Sequence, residues 1–287
     1  MKILPIVKRN KRFIESNKKL YNYPLRDFYI FSSHNTFISR NQNMDTNSLL
    51  MIKNSLLLGV REIELDIYAK NWLGKGEKDH EPIVTHGMIR GIGKSDVFSN
   101  TNLLPLDKCF YIIKKYMNYN GNTDPLIINI ELNTHHLNYT NIKIIKLLKK
   151  YFGDKLYLPK NKNRNMIEDV PIKDLINKVI IVIHNINKTN LLYDYSHDYC
   201  NISSNENNII SLNYTKNKMS RIYPCANINS HFSYNIDPVK YWNRGIQLVS
   251  CNIQNIDDNL KEHFKKFKYY SFVLKPKIFR KKNNINI

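Results

Sequence analysis

The sequence predicts an α/β fold built as a barrel of parallel strands, and three observations carry that expectation. Apolar runs of strand length alternate with amphipathic helical stretches along nearly all 287 residues. One run, Val179-Ile180-Ile181-Val182-Ile183, is unbroken, as a strand buried on both faces requires. Polar residues able to do chemistry recur at or just past the ends of such runs: His34 and Asn35, Glu64 and Asp66, His86, and Glu131. A parallel barrel gathers residues so placed at one mouth.

Taken in order, residues 1–22 are polar and basic and are expected to form an arm. Phe28 to Ser32 reads as a strand, and Asn47 to Leu58 as a helix stopped by Gly59. Val60 to Tyr68 and Glu81 to His86 are strands around a charged, glycine-bearing turn. Leu106 to Tyr119 is an amphipathic helix, Pro125 to Glu131 a strand, and Asn141 to Phe152 a helix with Ile142, Ile145, Leu148 and Phe152 on one stripe. After the Val179 run comes a polar stretch, residues 185–208, expected to be a short internal linker. Met219 to Tyr223 reads as a short strand, Asp237 to Asn243 as a helix, Gly245 to Asn252 as a strand, and Leu260 to Phe267 as a helix. Ser271 to Pro276 closes the pattern.

Composition bounds the function. With 42% hydrophobic residues the chain can bury a full core, and a net charge of +20 favours anionic partners such as nucleic acid, a phospholipid surface or a phosphorylated small molecule. Nucleic acid is disfavoured, because no recognisable binding motif accompanies the charge. Four scattered cysteines form no Cys-x-x-Cys pair, so neither a disulfide scaffold nor a zinc site is expected. No apolar run reaches the ~20 residues of a membrane span. The expectation is a cytoplasmic, monomeric chain sized for one domain, with any membrane contact peripheral.

The carboxylates carry the first chemical signal. In Glu62-Ile63-Glu64-Leu65-Asp66 alternate residues share a face, so three acids point one way from a strand whose neighbours look buried. Acids crowded in that way repel one another and favour a cation. Asn35, Glu64, Asp66 and Glu131 offer only oxygen, which suits calcium or magnesium rather than zinc, and the mixed set of four suits calcium's looser shell. His34 and His86, at successive strand ends beside the acids, are the acid–base candidates, and the acids are expected to raise either imidazole toward protonation. His135 and His136 are expected to be surface residues.

Ser32-Ser33-His34-Asn35-Thr36, Glu64-Leu65-Asp66, Pro82-Ile83-Val84-Thr85-His86-Gly87 and the Glu131 strand together resemble the X region of phosphoinositide-specific phospholipase C. Ser220-Arg221-Ile222-Tyr223-Pro224, the Tyr241 to Val249 segment and Val273-Leu274-Lys275-Pro276 resemble its Y region. The resemblance implies a distorted (β/α)8 TIM barrel formed by an X half (23–184) and a Y half (209–287). It implies hydrolysis of phosphoinositides to diacylglycerol and inositol phosphate through a cyclic phosphodiester. By matching motif, Asn35, Glu64, Asp66 and Glu131 would hold Ca2+. His34 would bond the phosphoryl group, His86 would protonate the leaving oxygen, and Glu64 or Glu131 would act as base. Ser203 and Arg221 would touch ring phosphates, and Tyr223 would pack on the inositol ring.

The sequence departs from the family where two lysines usually read ring phosphates: the aligned positions are Val182 and His184, with Lys188 a substitute from further along. Weaker preference for the 4,5-bisphosphate is expected. Met88, Ile89 and Ile92, with the basic ends Lys8 to Arg12 and Arg280 to Lys282, are candidates for docking on an anionic membrane, with solvated tails the equal alternative for the two ends. Competing readings are a metal-independent phospholipase or glycerophosphodiesterase, which the oxygen ligand set argues against, and a catalytically silent phosphoinositide binder, which the two intact histidines argue against.

Overall fold

The computed structural model describes residues 18–39, 46–70, 80–86, 88–90, 96–98, 102–134, 138–160, 164–205, 210–225 and 234–281. The arm at residues 1–17, His135 and His136, Ile92 and Lys282 lie outside the described residues, as do the side chains of Met88 and Ile89.

Two five-stranded sheets organise the molecule. The first sheet contains β1 (Phe28–Ile30), β9 (Cys200–Ser203), β10 (Ser220–Tyr223), β11 (Leu248–Val249) and β12 (Phe272–Leu274), in the order β12-β1-β11-β10-β9. The second contains β2 (Glu62–Ala69), β3 (Pro82–Val84), β6 (Leu104–Pro105), β7 (Leu126–Leu132) and β8 (Val179–Ile183), ordered β6-β3-β2-β7-β8. Strands β4 (Met88–Arg90) and β5 (Asp96–Phe98) make a separate antiparallel pair. The central ladders β2-β7-β8 and β9-β10-β11-β1 are parallel, as the alternating pattern predicts. Two strands depart from it: β3 runs antiparallel to β2, and β12 antiparallel to β1. Single bridges, Ser32 to Glu62 and Val182 to His197, join one sheet to the other, and among the described residues the ladders do not close on themselves. The class is α/β.

Helices α1 (Leu49–Leu58), α2 (Leu106–Tyr116) and α3 (Asn138–Phe152) cover the second sheet. Gly59 ends α1 with φ +89°, a left-handed turn that a side chain would resist. Leu56, Phe110, Ile113, Ile144, Leu148 and Phe152 meet Ile63, Leu65, Ile128, Ile130, Ile181 and Ile183 in one core. The opposite face of the same strands carries Ile127, Ile180 and Val182, which pack with Phe28, Ile30, Leu248 and Phe272 in a second core between the sheets. Period-two alternation thus gives each strand one helix-facing row and one inward row. Glu62, Glu64 and Asp66 belong to the inward row, above that apolar floor.

Strand β9 lies inside residues 185–208, the stretch whose polarity reads as a linker. It is an edge strand with a single apolar residue facing the core, Ile202, so its sequence carries little strand signal. Among the described residues there are four further short α-helices: α4 (Ile172–Leu175), α5 (Leu212–Asn217), α6 (Pro238–Trp242) and α7 (Asp258–Lys266). Helix α5 is held at its start by the Ser211 hydroxyl, which accepts from the Tyr214 N–H at 3.1 Å.

Lys275 is buried beside α5, and its ammonium donates to the carbonyls of Thr215 at 3.0 Å and Gly245 at 3.1 Å. Burial brings its pKa down to about 7, with Asp27 opposing. The unfolded chain, with an ordinary pKa of 10.5, holds that proton over a range where the folded chain has released it. Stability from this group is therefore fully present above the unfolded value and lost as pH falls through about 7. Urea unfolding is expected to show wild type gaining about 2 kcal/mol more than Lys275→Met between about pH 7 and about pH 9. Equal gains in the two proteins would refute it. The absolute stability of the variant is not the readout, since it strands two carbonyls.

Candidate active site

The inward residues at the ends of β2 and β7 meet those that follow β1 and β3. Register sets Asp66 opposite Glu131 and Glu64 opposite Asn129. One oxygen from each of Glu64, Asp66 and Glu131 lies within 4.8 Å of the other two, the one such group of acids among the described residues. Glu64 and Asp66 are buried, while Glu131 stands at the open rim.

Asn35 follows β1 in a left-handed turn, φ +45°, a conformation that Asn tolerates better than most residues. That turn aims its backbone N–H at Glu64 Oε2, 2.9 Å away. Its side-chain nitrogen is buried with no hydrogen-bond partner, and so is Asp66 Oδ1. Three converging acids, an Asp66 oxygen left unpaired and a set of oxygen ligands fit a hard divalent cation.

The two histidines are tied to two of the acids. His86 Nδ1 donates to Asp66 Oδ2 at 3.0 Å, and His34 Nε2 lies 3.7 Å from Glu64 Oε2. Their electrostatics diverge. Burial opposes the charge on His86, but the bond and charge of Asp66 outweigh it and raise its pKa. His34 is fully enclosed, and burial, helped by Arg221, brings it down to about 4 despite Glu64. The expectation that either ring is readily protonated therefore holds for His86 and is corrected for His34, whose desolvation exceeds the attraction of its carboxylate. His34 Nδ1 donates to Asn252 Oδ1 at 2.9 Å, and its ring stacks on Tyr223 at 5.2 Å.

Arg221 binds the acids from beneath. Its Nε donates to Glu62 Oε1 and its Nη2 pairs with Glu64 Oε1, both at 3.0 Å, while Nη1 donates to Asn201 Oδ1 at 3.0 Å. The guanidinium also lies 4.9 Å from the centre of the Tyr223 ring. Arg221 is completely buried, so in this structure it meets carboxylates and not open space. Burial pushes Glu62 up to about 7 although Arg221 opposes it. In Glu64 the same burial is overcome by Arg221, His34 and the Asn35 N–H, which leave its pKa below the ordinary value. Repulsion from Asp66, then burial, pushes Glu131 up to about 8.

His34, His86, Glu64, Asp66, Glu131, Arg221 and Tyr223 thus form one connected group, with Asn35 joined through its backbone. Ser203 sits opposite Tyr223 in the β9–β10 register, on the same strand face as Arg221. A cavity of about 350 Å³ opens beside the acids, lined by Glu64, Asn129, Glu131, His184, Asn201 and Tyr223. Val182 is buried in the apolar floor, and Lys188 is exposed. Two partners escape a reading by local pattern. Asn252 ends the Gly245 run, the same placement that marks His34 and Glu64. Glu62 looks like a member of the acid group and is instead the counter-charge of Arg221.

The profile of the phosphatidylinositol-specific phospholipase C X domain matches residues 21–185, more than half of the chain. The chain belongs to the phosphatidylinositol-specific phospholipase C family. The profile of the family's Y domain matches residues 184–278. A Drosophila melanogaster protein named 1-phosphatidylinositol 4,5-bisphosphate phosphodiesterase is 34% identical over 134 residues, 46% of this chain and 10% of its own length. A Saccharomyces cerevisiae protein of the same name, numbered 1, is 30% identical over 152 residues, 53% of this chain and 15% of its own. The chain therefore spans a small part of these relatives.

Among solved structures, the L. pealei PLC21 crystal structure superimposes with a TM-score of 0.72 at 21% identity, over 91% of this chain and 38% of that one. A calcium-dependent phosphoinositol-specific phospholipase C from Pseudomonas sp gives a TM-score of 0.54 at 12% identity, over 90% of this chain and 97% of its own. At such identities these likenesses establish the fold.

Proposed function

We propose that the chain is a calcium-dependent phosphoinositide phospholipase C, cleaving the lipid to diacylglycerol and inositol phosphate through a cyclic phosphodiester. The observation that carries this reading is the convergence of Glu64, Asp66 and Glu131 within 4.8 Å, with a histidine tied to two of them. Calcium held by Asn35, Glu64, Asp66 and Glu131 would acidify the inositol 2-hydroxyl and offset charge on the phosphoryl oxygens.

The remaining roles fall to the chain's own groups. His86, kept protonated by Asp66, donates its proton to the departing diacylglycerol oxygen. His34 donates through Nδ1 to Asn252, which leaves Nε2 to face the phosphoryl group, and an anionic phosphate arriving there draws a second proton onto the ring. Glu131 is the better placed base once a bound cation offsets the repulsion from Asp66 that raises its pKa, because both oxygens of Glu64 are engaged, one by Arg221 and one by the Asn35 N–H. Water then opens the cyclic phosphodiester with the acid and base roles reversed. Arg221 keeps Glu64 ionised, Tyr223 walls the ring side of the cavity, and Ser203 lies beside it.

The two sheets together are read as a distorted (β/α)8 barrel: the X half at 23–184 contributes β1 to the first sheet and every strand of the second, and the Y half at 209–287 contributes β10, β11 and β12, with β9 supplied by the joining stretch 185–208. Among the described residues no helix is long and apolar enough to cross a membrane. A monomer acting from the cytoplasm on an anionic leaflet, through its basic surface, fits the excess of 44 Lys and Arg over 24 Asp and Glu.

The test is release of inositol phosphate from phosphatidylinositol vesicles. Chelation of calcium is expected to stop release and added calcium to restore it, while an unchanged rate under chelation would overturn the reading. A silent binder is the second reading, and the placement of both histidines against the acids speaks for activity.

A further inference from the structure

We propose that the chamber adjoining the acids selects an inositol ring without 4- and 5-phosphates, and that Asp198 and Glu168 are its specificity-determining residues. The proposal rests on the function just stated and names the substrate class of that same site. The chamber, of about 440 Å³, is lined by Glu168, Asp198, Tyr199 and Lys218 and shares His184, Asn185, Asn201 and Tyr223 with the cavity over the acids. A lipid whose phosphodiester sits at the acids has this space beside it for the sugar ring.

Lys218, the lysine that lines this space, is already matched by a carboxylate, and so are the arginines behind it. Lys218 Nζ lies 2.7 Å from Glu168 Oε1, and His184 Nδ1 lies 2.8 Å from Asp198 Oδ1. Arg164 stands 3.7 Å behind Asp198, with Nε and Nη2 donating to the carbonyls of Ser196 and His197. Arg221 is divided between Glu62 and Glu64. Arg26, near Glu168 in charge, is ion-paired to Asp169.

A ring phosphate, dianionic near neutral pH, would have to break one of these pairs or sit beside an acid. A ring hydroxyl both donates and accepts, so it suits carboxylates and carboxamides equally well. His184 Nε2 and the Tyr199 hydroxyl are buried without hydrogen-bond partners, and hydroxyls of the ring are suitable ones. Charge matching, more than the loss of any one lysine, sets the preference.

The experiment compares wild type, Asp198→Asn and Glu168→Gln on vesicles carrying equal fractions of phosphatidylinositol, its 4-phosphate or its 4,5-bisphosphate at fixed calcium. Calorimetric binding of soluble inositol 1-phosphate and inositol 1,4,5-trisphosphate is measured in parallel. Wild type is expected to cleave phosphatidylinositol at least as fast as the bisphosphate. Each variant is expected to raise the bisphosphate-to-phosphatidylinositol ratio about tenfold, by freeing Lys218 or removing the Asp198 charge. A wild-type preference for the bisphosphate, or a ratio unmoved in Asp198→Asn, which conserves the shape of the side chain, would overturn the proposal. A protein silent on all three lipids refutes the hydrolase reading instead, and the two binding affinities then decide the chamber: tighter trisphosphate binding in wild type refutes it, and a gain for trisphosphate confined to the variants upholds it.

Discussion

His86→Ala is expected to lower lipid cleavage by about 10²–10⁴-fold, the usual worth of a positioned general acid. Asp66 holds the ring through Nδ1 at 3.0 Å and raises its pKa, so in the proposed role the other nitrogen would be the one that gives a proton away. The signature of that role is its dependence on the leaving group. An inositol phosphate ester of p-nitrophenol departs without protonation, so His86→Ala should lose far less on it than on the lipid. His34→Ala should lose alike on both, because the phosphoryl group it is proposed to face is the same in each. Equal losses on the two substrates for His86→Ala would remove it from the acid role.

Arg221→Met is expected to destabilise the fold by about 3–5 kcal/mol and to abolish turnover, because two buried carboxylates lose the one cation between them. Glu62 and Arg221 are both completely buried, and their nearest atoms are 3.0 Å apart. Adding Glu62→Gln to Arg221→Met removes one of the stranded charges and should recover part of the lost stability in urea unfolding, a coupling that a double-mutant cycle measures directly. A double variant no more stable than the single one would show that burial of the pair is not the source of the loss.

The parts of this molecule that depend on short stretches of chain are legible before any fold is known. The Val179 run is a strand with the bounds its composition marks, and Gly59 ends a helix where a left-handed residue is needed. The acids and histidines stand out because each closes an apolar run, and strand ends are where an α/β sheet presents its chemistry. What escapes is set by distant neighbours. Glu62 is indistinguishable from Glu64 and Asp66 by pattern, and only a partner 159 residues away makes it a counter-charge. The depressed protonation of His34 arises from its burial in the fold, helped by the charge of Arg221 and opposed by Glu64 and the Asn252 bond, which no neighbouring letter of sequence encodes. Strand β9 has one apolar residue in the core and pairs on a single side, so it resembles the polar segment that precedes it.

One guanidinium answering to two acids has its field divided between them. An uncharged side chain at position 62 would concentrate that field on Glu64 and thin the electron density it offers to any ion. Position 62, whose carboxylate is turned to Arg221, would thereby be a remote trim on how firmly the mouth grips the calcium proposed there. Changes there would register first as a different calcium demand.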